Sequence, residues 1–552
     1  MFRLSGSDVV LEVAGIALLR AKAKLNQRIG VARVRTSRGV GLIVDRADLP
    51  ALGDLLDEFG ADPAIQDLCN QWRIFADARV QANLILSGEH VHLSEFWEDV
   101  LDPHQATAVT ALSVPGLIGA CLFDEQGSGK TVMAIAAFDM LRESSEIDRM
   151  IILCPKIMIG EWRKDFAKLL GEKYVITAVD DATTTGIPQG FEQCDVYLTN
   201  YEGLSRVGLR LELTAESTRT LLVVDESFFL KNVSAARTQL AVRLRAKCAR
   251  GLVLCGTPAP NSYEDVIAQC SIADGGYAFS GFVDKGRDSV AARLEEKALV
   301  IRRQKSAIMP NLAAKSIRPV LVTMGARQRC LYEEAKNNLV LHLRTLDNRA
   351  VIKATDGYFE KLHALVQLCS WPASIDPTFR EDPAKVLALD DLLSNLIEAQ
   401  GKKVVLWSAY KDPIPVLAAR YKQYAPVVVS GDTPARDRSA AVLCFQTEPG
   451  TKLFIGNPSA AGAGITLTAA SDAVFFSFSN RAADFLQAID RIHRRGQVAS
   501  EVVIHILLCD SSIERAQLDR LLSKERSQGE LLRDKELGTR VEDAIAALLA
   551  SD

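Results

Sequence analysis

The sequence predicts an α/β protein: two doubly wound parallel-sheet lobes with helical insertions, preceded by a small N-terminal α+β accessory domain. Three observations predict it. From about residue 100, short continuously apolar runs alternate with helix-like stretches. Such runs mark strands buried on both faces, and their alternation with helices marks a parallel sheet. The alternation lapses near 270 and resumes near 403, which makes two lobes. Residues 1–95 have a texture of their own.

Within 1–95, "GVARVRTSRGVGLIV" alternates like a hairpin, and "DLPALGDLLDEFG" reads as a capped helix ending at glycine. Seven cations (Arg20, Lys22, Lys24, Arg28, Arg33, Arg35, Arg38) lie between Val13 and Val44 without an acid. They suit a second DNA-binding patch, a docking surface for a protein partner, or a plain structural domain. The first lobe, 96–270, carries the strands "LIGACLF", "MIILCP", "VYLTN", "LLVVDE" and "GLVLCGT". A helical insertion and linker spans 271–380. The second lobe, 381–530, carries "KVVLWSAY", "APVVVSG", "KLFIGN", "AVFFSF" and "VVIHILL". A C-terminal helix or tail, 531–552, closes the chain.

The formal net charge of −4 over 552 residues excludes a polycation, so any nucleic-acid contact must come from local basic patches. No apolar run is long enough to span a bilayer, and acids interrupt the N-terminus where a secretion signal would be apolar. The 11 cysteines lack a C-x-x-C pair and sit mostly inside apolar runs. They read as reduced core thiols of a cytoplasmic protein, nucleoid-associated if prokaryotic.

The chemistry concentrates at two strand ends. "CLFDEQGSGKTVMAIAAF" sets "GSGKT" directly after a strand and directly before a helix. Gly127, Ser128 and Gly129 would let the backbone wrap a phosphate at a helix N-terminus. Lys130 would reach the β- and γ-phosphates, and Thr131 would ligate Mg²⁺. The first glycine of the usual P-loop pattern is absent, and Asp124 stands there. "LLVVDESFFLKN" drives another strand into Asp225 and Glu226. A P-loop ATPase needs one carboxylate to hold Mg²⁺ and a second to orient water, and this pair supplies both.

Taken in order, the motifs resemble those of the Swi/Snf family of superfamily-two DNA translocases. "DEQGSGKT" is similar to motif I, "IILCPKIMIGEWRKDF" to Ia with its Trp162, and "VYLTNYE" to Ib. "DESFFLKN" resembles motif II, closest to the annealing-helicase and phage or prokaryotic branches, although a histidine commonly stands at the place of Phe228. "LCGTPAPNSYEDV" resembles motif III, "IRRQKSAIMPNLAAK" the arginine-rich link, and "KVVLWSAY" motif IV. "NPSAAGAGITLTAA" resembles V, and "QAIDRIHRRGQ" matches VI closely.

The resemblance implies two RecA-like lobes with ATP between them. It implies that Gln105, in "LDPHQATAV", reads adenine and that Gly464 lines the cleft. Arg491 and Arg494, expected one turn apart on one helical face, would act as arginine fingers, a device worth about 10³–10⁵ in rate in related enzymes. It also implies a grip on the phosphates of double-stranded DNA with little sequence readout, through Lys156, Asn200, Ser408 and Thr466. The acid-free stretches 231–250 and 301–318 offer further cations, or else solvated faces. The function implied is an ATP-dependent duplex-DNA translocase, in prokaryotic or phage repair, fork remodelling or defence. Two alternatives stand beside it: a remodeller that strips RNA polymerase or another protein from DNA, and a DNA-binding scaffold with weak ATPase.

Overall fold

The computed structural model describes residues 1–522 except 6–7, 14–15, 30–33, 38–40, 89–91, 180–190, 259–263, 281, 283–285, 310–311, 345–354, 462–464, 480, 511 and 520. The chain divides after Ile308 into two compact units. The tail expected at 531–552 lies outside the described residues.

Four antiparallel strands open the first unit: β1 Phe2–Ser5, β2 Asp8–Leu11, β3 Arg35–Ser37 and β4 Gly41–Asp45, in the order β1-β2-β4-β3. The alternating stretch is thus the β3–β4 pair. Gly41 has φ +125°, and a Cβ there would stand 2.1 Å from the Leu11 carbonyl oxygen, so only glycine lets the strands approach. The long helix Pro63–Leu86 follows. Its apolar residues Ile65, Cys69, Trp72, Phe75, Ala78 and Ala82 recur at helical spacing and are buried. Tyr277 stands edge-on to both Trp72 (5.1 Å between centroids) and Phe75 (4.9 Å). The expected accessory domain therefore shares one continuous core with the lobe that follows it.

The lobe itself is a seven-stranded sheet: β5 Gly119–Leu122, β6 Arg149–Cys154, β7 Ile176–Val179, β8 Val196–Asn200, β9 Thr220–Asp225, β10 Arg250–Leu254 and β11 Val300–Ile301. Its order is β11-β5-β10-β9-β6-β8-β7, and every pairing is parallel. The ends of β5, β10 and β9 are therefore neighbours at one edge, where such sheets bind ligands.

The second unit holds β12 Ala314–Val322, β13 Val404–Trp407, β14 Val427–Val429, β15 Leu453–Gly456, β16 Asp472–Phe475 and β17 Glu501–Cys509, again all parallel, in the order β12-β17-β16-β13-β15-β14. Val405 and Trp407 face one core while Val404 and Leu406 face the other, so helices cover both sides. The stretch expected as a helical linker contains the helices Ala326–Arg344 and Thr355–Ser370, but it also supplies β11 to the first sheet and β12 to the second. No helix among the described residues is long and apolar enough to cross a membrane.

Candidate active site

The loop after β5 meets the helix Lys130–Glu143 through Gly127 and Gly129, whose φ values are +90° and +87°. Both lie in the left-handed region that glycine adopts without strain. Gly129 has a second reason. A Cβ there would stand 2.1 Å from Nε2 of Gln105. That side chain is buried, donates to the Ser128 carbonyl oxygen (3.0 Å), and accepts from the Asp102 backbone N–H (3.0 Å) as half of a capping box. Gln105, expected to read adenine, thus ties its helix to the phosphate loop. Lys130 is buried with its Nζ on the carbonyl oxygens of Asp124 (2.8 Å) and Glu125 (3.1 Å). The Ser128 hydroxyl is buried without a partner.

Asp225 ends β9, and Glu226 follows at φ +50°. One Asp225 oxygen accepts from Nε1 of Trp162 (2.9 Å) and the other from the Glu226 backbone N–H (2.9 Å). The Tyr201 hydroxyl donates to the Asp225 carbonyl oxygen. Glu226 Oε1 accepts from Gln126 Nε2 (2.9 Å), so motif II touches the phosphate loop directly. Burial first, and the neighbouring Glu226 second, push the Asp225 carboxyl up to about 7, against the pull of Trp162 and Lys130. Gly256, after β10, fits the same cluster, because a Cβ there would stand 2.7 Å from Cγ of Gln126. Behind it, the Ser227 hydroxyl donates to Gln269 Oε1 (2.5 Å), and Gln269 Nε2 donates to the Pro258 carbonyl oxygen (2.5 Å). Strand ends β9 and β10 are joined by that amide.

The residues fit a Mg²⁺–nucleotide. Two crowded buried carboxylates and a hydroxyl at Thr131 form a hard oxygen donor set. An unpartnered buried hydroxyl and a glycine-shaped loop at a helix N-terminus suit a phosphate.

Several expected positions need correction. The helix Ala482–Ile489 stops before Arg491, so Arg491 and Arg494 lie in turns and not on one helical face. Arg491 is buried, and Nη1 of Arg494 donates to the Ile465 carbonyl oxygen (3.3 Å). Asn200 and Ser408, expected to meet phosphate, are buried and turned inward. Asn200 Oδ1 accepts from the Gly203 N–H, and Ser408 Oγ donates to the Tyr410 carbonyl oxygen (2.8 Å). Lys156 is exposed and Thr466 half-buried, while Gly464 lies outside the described residues.

Arg237, Lys315 and Arg318 of the two acid-free stretches are exposed, but other cations in them are turned inward or paired. Arg245 and Arg250 are buried on backbone carbonyls, and Arg243 and Lys247 pair with Glu212 and Glu216. Arg302 and Arg303 turn inward onto Phe123 and Asp124. Runs without acids conceal these pairings because the partners lie elsewhere in the chain. Gln126, Tyr201 and Arg303 sit inside quoted motifs, yet nothing in those motifs announces these contacts, and Gln269 lies outside every motif.

The chain matches the family described as SNF2-related domain over residues 104–373, and the helicase conserved C-terminal domain over 384–496. It is 25% identical over 512 residues to the DNA repair and recombination protein RAD54B of Gallus gallus, covering 78% of this chain and 54% of that protein. It is 26% identical over 436 residues to the Caenorhabditis elegans homolog of SWI/SNF-related matrix-associated actin-dependent regulator of chromatin subfamily A-like protein 1, covering 74% and 58%. The chain thus spans little more than half the length of these relatives. Among solved structures, the Sulfolobus solfataricus SWI2/SNF2 ATPase core in complex with dsDNA aligns at 20% identity with a TM-score of 0.35, covering 80% of this chain and 93% of that one.

Proposed function

The chain belongs to the SNF2-related, or Swi/Snf, family of superfamily-two ATPases, and on that premise we propose that it is a DNA-dependent ATPase that moves along duplex DNA without separating the strands. One observation carries the reading: at the end of β9 a buried carboxylate pair is joined to the phosphate loop through Gln126 and lies within the field of Lys130. That is the arrangement ATP hydrolysis needs. Lys130 would leave its carbonyl partners to bind the β- and γ-phosphates. Thr131 and Asp225 would hold Mg²⁺, whose charge offsets the crowding of the two acids when bound. Glu226 would orient the attacking water, with Gln126 fixing its carboxylate. Arg491 and Arg494 would stabilise the charge developing on the transferred phosphoryl group. Lys156 and Thr466 are the side chains best presented for a DNA backbone.

The setting that suits this reading is prokaryotic or phage repair, fork remodelling or defence, in the cytoplasm. The relatives' printed names, one in DNA repair and one in chromatin regulation, support action on DNA. A specific observation favours a second reading, a scaffold with weak ATPase: Phe228 has no donor or acceptor where similar proteins place histidine. Steady-state ATPase with and without duplex DNA separates the two. Lys130→Ala should abolish turnover and leave DNA binding mostly intact, since that side chain meets ATP and not DNA. Unchanged turnover in this variant would remove the site assignment.

A further inference from the structure

Asp124 is a fully buried carboxylate at the neck of a loop that is read here as holding phosphate. Left alone it would repel that anion and resist burial. Arg303 answers it. Its Nε lies 3.1 Å from Oδ1 and 3.2 Å from Oδ2 of Asp124, and its Nη2 also donates to Oδ2. The same guanidinium sends Nη1 to the His104 carbonyl oxygen, one residue before Gln105, and brushes Met133 Sδ at 3.7 Å on the helix after the loop.

The flanking residues reinforce the attachment. Past β11 the backbone continues along the loop, with the Glu125 N–H donating to the Arg303 carbonyl oxygen (3.3 Å) and the Lys305 N–H to Glu125 Oε2 (2.8 Å). Arg302 Nη1 donates to the carbonyl oxygens of Phe123 (2.6 Å) and Gly256 (3.3 Å). The segment Val300–Lys305 is therefore clamped to the loop entrance, to the Gln105 helix and to the end of β10.

We propose that Arg303 is a positioning residue of the nucleotide site. By joining Asp124 on the phosphate side to the His104 carbonyl on the Gln105 side, it holds two binding elements in one register. The proposal rests on the ATP-site reading given above. Arginine is required because its planar fork presents several fixed donors at once, whereas lysine offers one point charge and cannot span both acceptors.

The test uses the 552-residue chain and its Arg303→Lys, Arg303→Gln, Asp124→Asn and Asp124→Asn/Arg303→Gln variants. ATP turnover with saturating duplex DNA gives KM and kcat, a fluorescent ADP analogue gives Kd, and thermal melting reports the fold. Arg303→Lys should melt within a few degrees of wild type yet raise the KM for ATP about ten-fold, with the ADP-analogue Kd rising in parallel, the effect of losing a charge-assisted hydrogen bond. The double variant should bind no worse than Arg303→Gln alone, because the pair acts as a unit. Lowered melting temperatures with unchanged KM and Kd in both Arg303 variants would reduce the residue to a prop of the fold and overturn the proposal. So would Asp124→Asn and Arg303→Gln effects on KM that simply multiply. A wild-type protein that fails to bind the ADP analogue would instead strike the ATP-site reading, and this one with it.

Discussion

Phe228 stacks on Phe229 at 4.5 Å, and Phe229 leans on Tyr201 at 5.5 Å, whose hydroxyl reaches the backbone of Asp225. An aromatic file therefore lines the strand end that carries the acids. Where a histidine would offer hydrogen bonds, phenylalanine supplies packing alone. Hydrolysis should survive, since Asp225 and Glu226 keep their own partners. Phe228→His is expected to be tolerated and to change the ratio of DNA-stimulated to basal ATPase by only a few-fold. Phe228→Asp is expected to be far worse, because it adds a third carboxylate beside two already crowded. The three ratios, measured side by side, decide it. A wild type without stimulation that Phe228→His restores would put the scaffold reading first.

Strand β16 begins with an acid buried in the second lobe, Asp472. Burial would raise its carboxyl, but hydrogen bonds from His505 (3.0 Å), Ser471 (2.7 Å) and Lys402 (2.9 Å) outweigh that and hold it at about 2. A carboxyl lowered on folding adds stability above its unfolded value, near 4, and loses it as pH falls toward its folded one. This element should therefore contribute about 2 kcal/mol at neutral pH and give it up between about pH 4 and pH 2. Urea unfolding across that window should show the loss in the wild type and a flatter profile in Asp472→Asn. Parallel profiles would refute it. Strand β12, at the edge of the same sheet, shows the opposite face of strand design: Lys315, Arg318 and Pro319 suit an edge, where an unpaired side must avoid other strands.

Across the first unit, the N-terminal region is structural before it is anything else. Besides the Trp72–Tyr277–Phe75 cluster, the buried Asp48 pairs with Lys297 at 3.3 Å, and Arg79 donates to the Glu295 carbonyl oxygen at 3.3 Å. Two of its cations are spent locally, Lys24 on Glu58 and Arg28 on Asp54. Deleting residues 1–86 should therefore lower the melting temperature of the remainder and reduce basal ATPase, beyond any loss of DNA affinity. A truncated chain that melts and hydrolyses ATP like wild type would show a dispensable accessory domain instead.

What the sequence determined by itself is what short-range pattern encodes. Ten apolar runs became parallel strands because residues buried on both faces need no partner identity to be recognised. "GSGKT" became a left-handed glycine loop before a helix, and "VVDE" became a strand end, because loop and acid are each contiguous in the chain. Strands β7, β11 and β12 escaped notice: the last carries charge and proline, and β11 has two residues. Only the tertiary structure decided how each polar side chain is used. Asn200 and Ser408 turned inward, Arg302 and Arg303 became half-buried braces, and Gln105 became a tie between helix and loop. A charge drawn out of water must find a partner wherever the fold brings one: the buried Asp124 finds Arg303, which also reaches His104, some 179 and 199 residues away along the chain. Separations of that length leave no periodicity in a sequence, so the partner of a buried charge is fixed by folding alone.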